Sequence, residues 1–243
     1  MTDPAVARLE RVNEELRTQS NDLAELAGSL AHEIKTPLSV IRLNVELIAE
    51  DLADFDHPQA RRLGQRVAVV QRQCTRLEGL LNDFLRLTRL SHLELVAGSL
   101  NALLNQVLDF FEAEGKSRKV DILRYLETDL PAVLMDKPTL QAAITNMIKN
   151  ALESMPDGGQ LVVRTRMTRT GVAIDLIDTG VGIDSSTLLK MFEPFYTTKD
   201  AGSGLGLPMA KKVIEAHGGV IHVQSEVDRG TQFTLELPTP KRL

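Results

Sequence analysis

The stretch GSGLGLPMAKKVIEAH, Gly202 to His217, decides the fold. Its glycines alternate with small or apolar residues and run without a break into an amphipathic helix pattern. Gly202, Gly204 and Gly206 free backbone amides to face phosphates, and a helix start adds partial positive charge. Glycine-rich turns are common, so the reading rests on what surrounds this one. Immediately upstream, MFEPFYTTK (191–199) supplies aromatics, a proline and Lys199. Further back, DTGVGI, Asp178 to Ile183, directly follows an apolar run. A carboxylate at a strand end can accept a hydrogen bond from an exocyclic amine, and Gly180 and Gly182 let backbone approach a flat ring. Before that, Asn146 and Asn150 stand four apart on a helix pattern and therefore share a face. An Asn carbonyl is a neutral, hard oxygen ligand, suited to a Mg²⁺ that also keeps waters and phosphate oxygens.

Working outward, KVDILRYL and AVLMD read as strands. LVVRTRMT with GVAIDLID, and VIHVQSEV with TQFTLELP, read as hairpin pairs. Helix patterns cover about 99–115, DKPTLQAAITNMIKNALESM and LPMAKKVIEAH. From about residue 98 onward this predicts an α/β sandwich with helices on one face of a sheet. The first part of the chain has a different pattern. Leu9, Val12, Leu16, Leu23, Leu26 and Leu30, then Ile34, Leu38, Ile41, Val45, Ile48 and Leu52, recur at threes and fours, as in a coiled coil. Between Leu26 and Leu38 every step is four, a stutter-like shift of phase. DLADFDHPQA (51–60) breaks the helix, and Leu63, Val67, Val70, Cys74, Leu77, Leu81, Phe84 and Thr88 resume the spacing. Two long amphipathic helices with a short connection predict an antiparallel hairpin. A lone hairpin leaves its stripe half exposed, so a second copy is expected to complete a four-helix bundle. Cys74 falls in the seam and reads as core filler.

The 243 residues, 43% hydrophobic and 25% charged, fit an ordinary globular protein of one or two domains. A net charge of −5 offers no electrostatic basis for nucleic-acid binding. The single cysteine excludes an internal disulfide and fits a reducing compartment. No uncharged apolar run approaches the ~20 residues of a membrane span, and MTDPAVARLE has no apolar signal region. The expectation is a cytoplasmic protein, or the cytoplasmic part of something larger, with no membrane contact of its own.

In order and spacing, the four nucleotide blocks resemble the N, G1, F and G2 boxes of the ATP-binding domain of sensor histidine kinases. The resemblance continues through HGG (217–219) and GTQF (230–233), and TTKDAGSGLGLPMAKKVIEAHGG is similar to the subgroup of nitrogen-regulation kinases. It implies ATP and Mg²⁺ as cofactors, with Asn150 holding the metal and Asn146 beside it at the phosphates. Asp178 would recognise the adenine amine, with Thr231 supporting it through water. Gly202, Gly204 and Gly206 would contact phosphates, and Lys199 would reach them from a lid over about 184–203. The same resemblance adds Lys149, Ile183, Ser203 and Leu205 to the nucleotide-binding set; His217 and His222 are read as structural. Gyrase, Hsp90 and mismatch-repair ATPases share the fold and resemble one another in carrying Glu four residues before the metal-binding Asn. Here that position is Asn146, whose amide cannot take a proton from water, so the site suits a nucleophile other than water.

That nucleophile is found in HEIKTPLS, His32 to Ser39, which resembles the family's H box. His32 lies two positions from both Leu30 and Ile34, about 200° around the helix from each, so it points away from the seam. A neutral imidazole keeps one free nitrogen for attack on phosphorus. Glu33 can orient the ring and take its proton. Thr36, one turn beyond His32, occupies the position that related kinases use to hold a water for the reverse, phosphatase reaction. Pro37 removes one helical hydrogen bond, a defect of roughly 3 kcal/mol, and is expected to loosen the helix next to His32. The reading is therefore a homodimeric histidine kinase with a response regulator receiver domain as partner. Residues 1–28 would form a coiled-coil lead-in, 29–96 the dimerisation and phosphotransfer domain, and 97–243 the ATP-binding domain.

Overall fold

The computed structural model describes residues 31, 33–52, 55, 57–88, 93–199 and 202–239. His32 and the lead-in over 1–28 lie outside the described residues. The described chain forms two units. One holds the helices with Lys199, Gly202 and Ser203; the other runs from residue 93 to Thr198 and resumes at Gly204.

In the helical unit, α1 (33–52) continues unbroken through Pro37. After the connection, α2 (Pro58–Thr88) opens with proline at its first position, where the missing N–H costs nothing. The His57 ring accepts a hydrogen bond from the Gln59 N–H at 3.2 Å. Arg42 of α1 reaches Glu78 of α2 at 3.4 Å, so the two helices lie against each other as a hairpin. Leu38 and Cys74 are buried, as the seam reading requires. Ile34, Ile41, Ile48, Leu63, Val70 and Leu77 remain exposed within the single chain.

The α/β unit is built on a five-stranded sheet. β1 (Val96–Gly98) leads into α3 (Leu100–Ser117), β2 (Val120–Tyr125), β3 (Val133–Met135) and α4 (Lys137–Glu153). Then follow β4 (Gly159–Met167), β5 (Gly171–Asp178), the short α5 (Ser185–Lys190), α6 (Gly206–Ala216), β6 (Val220–Glu226) and β7 (Gly230–Pro238). The sheet order is β2-β4-β5-β7-β6, with β2 parallel to β4 and the other pairs antiparallel. β1 and β3 pair separately. Both expected hairpins, β4–β5 and β6–β7, are present. β1 and α5 have no counterpart in the sequence reading, because three strand residues and six helical ones are too short to show a period.

Helices α3, α4 and α6 cover one face of the sheet. Leu104, Leu108, Ile144, Ile148, Leu152, Leu161, Ile174, Ile214 and Leu235 are fully excluded from water between the layers. Each such side chain contributes about 1.5–3 kcal/mol of transfer free energy. On the other face, the Asp175 carboxylate is wholly buried under Arg164 and Arg166, with Thr234 donating to it at 2.8 Å. Burial would raise this group, but the Thr234 hydroxyl and the two guanidinium groups hold it below the ordinary carboxylate range. His217 ends α6 and braces it against α4. Its Nε2 accepts from the Asp136 N–H at 3.0 Å, and its Nδ1, which therefore carries the proton, bonds the Val213 carbonyl at 2.7 Å. Asp136 in turn caps α4 through the Thr139 N–H.

Candidate nucleotide site

Asp178 ends β5, directly opposite Thr231 of β7 in the ladder. Opposed residues share a face, so both point to the helical side. Both are 5% exposed. The carboxylate accepts from the Gly180 N–H at 2.9 Å, the Thr231 N–H also holds it, and the Ser154 hydroxyl, 3.2 Å away, is shared with the Ala151 carbonyl at 2.7 Å. Burial nevertheless pushes its pKa above the ordinary value, against the pull of these donors. A charged acceptor kept this dry is suited to an exocyclic amine.

The loop after Asp178 is clamped on two sides. The Val181 N–H donates to the Ser154 carbonyl at 3.0 Å, at the end of α4. The Val181 carbonyl accepts from the Asp228 N–H at 2.8 Å, in the β6–β7 turn, and the Ile183 N–H reaches the Ser225 hydroxyl at 2.8 Å. Gly180 and Gly182 are explained by this packing. A Cβ at Gly180 would meet the Ser154 hydroxyl, and one at Gly182, where φ is 69°, would meet the Glu226 carbonyl. Both glycines allow a close approach to the protein's own backbone and side chains.

Asn146 and Asn150 are half-buried on α4. Lys149 between them is exposed and pairs with Glu153 at 3.9 Å. The first residue of α6, Gly206, lies beside Asn146; a Cβ built there would stand 3.8 Å from the Asn146 Cγ. No side chain caps α6 at Leu205, whereas Ser99, Asp136 and Asp184 cap α3, α4 and α5. A helix start without a side-chain cap is suited to anionic oxygens. Gly204 holds the turn before them: its φ is 67°, a Cβ there would lie 2.5 Å from the Phe195 carbonyl carbon, and its carbonyl accepts from the Phe195 N–H at 3.0 Å.

Among the described residues no group of three or more His, Cys, Asp or Glu could hold a metal. The Asn150 side-chain oxygen on α4 is of the neutral, hard kind that Mg²⁺ accepts alongside water and phosphate. Asn146, Asn150, Asp178, Gly180, Ile183, Gly204, Leu205, Gly206 and Thr231 all belong to the α/β unit. Lys199, Gly202 and Ser203 belong to the helical unit instead, and the Gly202 amide donates to the Lys199 carbonyl at 3.1 Å. Glu33 and Thr36 are exposed on α1. Sequence reasoning missed Ser154 and Ser225. The alternation of VIHVQSE offered a signal for the second, placing Ser225 on the same strand face as Ile221 and Val223.

Two family models match separate stretches of the chain, and the one over 135–241 includes Lys199, Gly202 and Ser203. Residues 135–241 match the family model for histidine kinase-, DNA gyrase B-, and HSP90-like ATPases, and residues 22–93 match the His Kinase A (phospho-acceptor) domain. The crystallised catalytic domain of histidine kinase ThkA is 30% identical, with a TM-score of 0.56, covering 61% of this chain and 100% of that one. The chain belongs to the sensor histidine kinases. Full-length ShkA, solved with AMPPNP, gives a TM-score of 0.73 at 26% identity over 88% of this chain and 45% of its own. Sensor histidine kinase ZraS of Escherichia coli K12 is 34% identical over 217 residues, covering 89% of this chain and 45% of ZraS. AtoS of the same strain is 32% identical, covering 89% of this chain and 35% of AtoS. This sensor histidine kinase core thus spans less than half the length of these curated relatives.

The raised Asp178 pKa gives a test with a definite sign. A folded value above the unfolded one means that the protonated form stabilises the fold. That stability is complete below the unfolded value and is lost as pH rises through the folded value. Asp178→Asn, neutral throughout, should melt above wild type at neutral pH and lose that margin in acid. It should also weaken nucleotide binding about ten-fold or more, the loss expected for a charge-assisted hydrogen bond. Thermal melts across pH, with a nucleotide titration, check both.

Proposed function

We propose that this chain is an ATP-dependent protein-histidine kinase that phosphorylates itself on His32 and passes the phosphoryl group to an aspartate of a response regulator. The observation that carries the proposal is Asn146. It lies against the start of α6, four residues before the candidate metal ligand Asn150, with a neutral amide where a water-activating enzyme needs a base. A site that holds ATP without activating water requires a nucleophile from elsewhere, and the phospho-acceptor domain match over 22–93 contains His32.

The free imidazole nitrogen of His32 attacks the γ-phosphorus. The new N–P bond forms as the bond to the β,γ-bridging oxygen breaks, ADP leaves, and Glu33 takes the imidazole proton. An aspartate oxygen of the regulator then displaces the histidine. Asp178 and Thr231 hold the base, while the amides at the start of α6 and Asn146 hold the phosphates. Lys199, Gly202 and Ser203 close over them as the lid, with Lys149, Gly180, Ile183, Gly204 and Leu205 completing the pocket. Asn150 would hold a Mg²⁺ ion, which would supply neutralisation of phosphate charge. AMPPNP bound to the related ShkA supports an ATP site here.

The exposed apolar stripe of the hairpin supports a homodimer, in which Ile34, Ile41, Ile48, Leu63, Val70 and Leu77 meet their counterparts in a four-helix bundle. The domains are then a lead-in over 1–28, the dimerisation and phosphotransfer hairpin over 29–96, and the ATP-binding domain over 97–243. No helix among the described residues is long and apolar enough to cross a membrane, and the proposed place of action is the cytoplasm. Thr36 holds the water that removes phosphate from the regulator in the reverse direction.

Incubation with γ-labelled ATP and Mg²⁺ should leave an acid-labile, alkali-stable label that is absent from His32→Gln; label persisting in that variant contradicts the assignment. Thr36→Ala should keep the label on His32 while loss of phosphate from the regulator slows by about ten-fold or more, the effect of removing one positioning hydrogen bond. Regulator dephosphorylation at the wild-type rate would make Thr36 a structural residue.

A further inference from the structure

The hydroxyl of Ser225, on β6, has three hydrogen-bond neighbours and one proton to give. Its Oγ accepts from the Ile183 N–H at 2.8 Å, donates to the Gly230 carbonyl at 2.9 Å and lies 2.9 Å from the Thr231 Oγ1. An amide N–H can only donate and a carbonyl can only accept, so the Ser225 proton belongs to Gly230. The Thr231 hydroxyl must then spend its own proton on Ser225. It keeps only lone pairs for anything bound beside it. Asp178, opposite Thr231 in the ladder, is likewise an acceptor without a donor while ionised. An exocyclic amine has two hydrogens and can meet two neighbouring acceptors, whereas a ring carbonyl in the same place would set its lone pairs against both.

We infer that Ser225 is a specificity-determining residue. By fixing the direction of the Thr231 hydroxyl, it makes the pocket take a 6-aminopurine nucleotide and refuse a 6-oxopurine one. The inference rests on the base-binding role proposed above for Asp178 and Thr231. Ser225 touches neither base nor phosphate in this account; it acts through Thr231. Gly230 keeps the arrangement close, because its φ is 100° and a Cβ there would run into the Asp178 carbonyl.

A purely structural role would be to brace Ile183, and losing such a brace would weaken all nucleotides alike. The ratio of affinities separates the two roles. Calorimetric titration of the full chain with ADP and with inosine diphosphate should show a preference for ADP of about a hundred-fold or more, as for a site built around a substrate hydrogen bond. Ser225→Ala lets Thr231 turn its proton toward the base and should narrow that preference about ten-fold. Ser225→Thr, which keeps the hydroxyl, should restore it. In a Thr231→Val background, Ser225→Ala should leave the ratio unmoved, since no hydroxyl remains to be turned. Equal weakening of both nucleotides by Ser225→Ala, with the ratio intact, would overturn the proposal. Asp178→Asn distinguishes the two ways of failing. If it flattens the ratio while Ser225→Ala does not, only the role of Ser225 falls; if neither moves the ratio, base recognition by Asp178 falls with it.

Discussion

A carboxylate buried away from water needs donors on several sides, and much of the α/β unit is arranged to supply them to Asp178. The β5–β7 ladder brings Thr231 opposite it, the end of α4 brings the Ser154 hydroxyl, and the loop beyond it turns back to offer the Gly180 amide. That turn needs residues without side chains, because Gly180 passes against Ser154 and Gly230 against the Asp178 backbone. The donors do not cancel the cost of burial, so Asp178 stays above its ordinary pKa. Apoprotein stability is given up there for an acceptor ready to meet a ligand amine.

The phosphate end of the pocket follows a different rule. α6 begins without a side-chain cap next to a neutral amide, and its far end is held to the cap of α4 by His217. Both helices are thus tied together through one imidazole, which fixes where the start of α6 stands relative to Asn146 and Asn150. Asn146 presents a neutral amide, which cannot deprotonate water. In the proposed account the reactive imidazole on the hairpin supplies the nucleophile, and the nucleotide domain only binds and orients.

Much of this was legible in the sequence. The sequence predicts GVAIDLID and TQFTLELP as strands of two separate hairpins, and the β5–β7 pairing that joins those hairpins is what brings Asp178 and Thr231 together. The spacing of Asn146 and Asn150 predicts a shared helix face, and both are half-buried there. The heptad-like run over 31–88 predicts a hairpin with apolar residues to spare, and Ile41, Ile48, Val70 and Leu77 are those residues. Other features depend on contacts that no local pattern carries. Ser154 and Ser225 matter through partners 24 and 42 residues away, Asp178 and Ile183. Serine has no propensity strong enough to announce such a role. The glycines after Asp178 were readable as close-approach positions, and Ser154 and Glu226 stand against them.

The central claim is that ATP bound here reacts with His32 and not with water. A single-turnover experiment, with enzyme in excess over ATP and no regulator present, measures it most directly by comparing the ADP formed with the phosphohistidine formed. The account predicts that the two match mole for mole and that inorganic phosphate stays at background. ADP running ahead of phosphohistidine, with inorganic phosphate making up the difference, would contradict it.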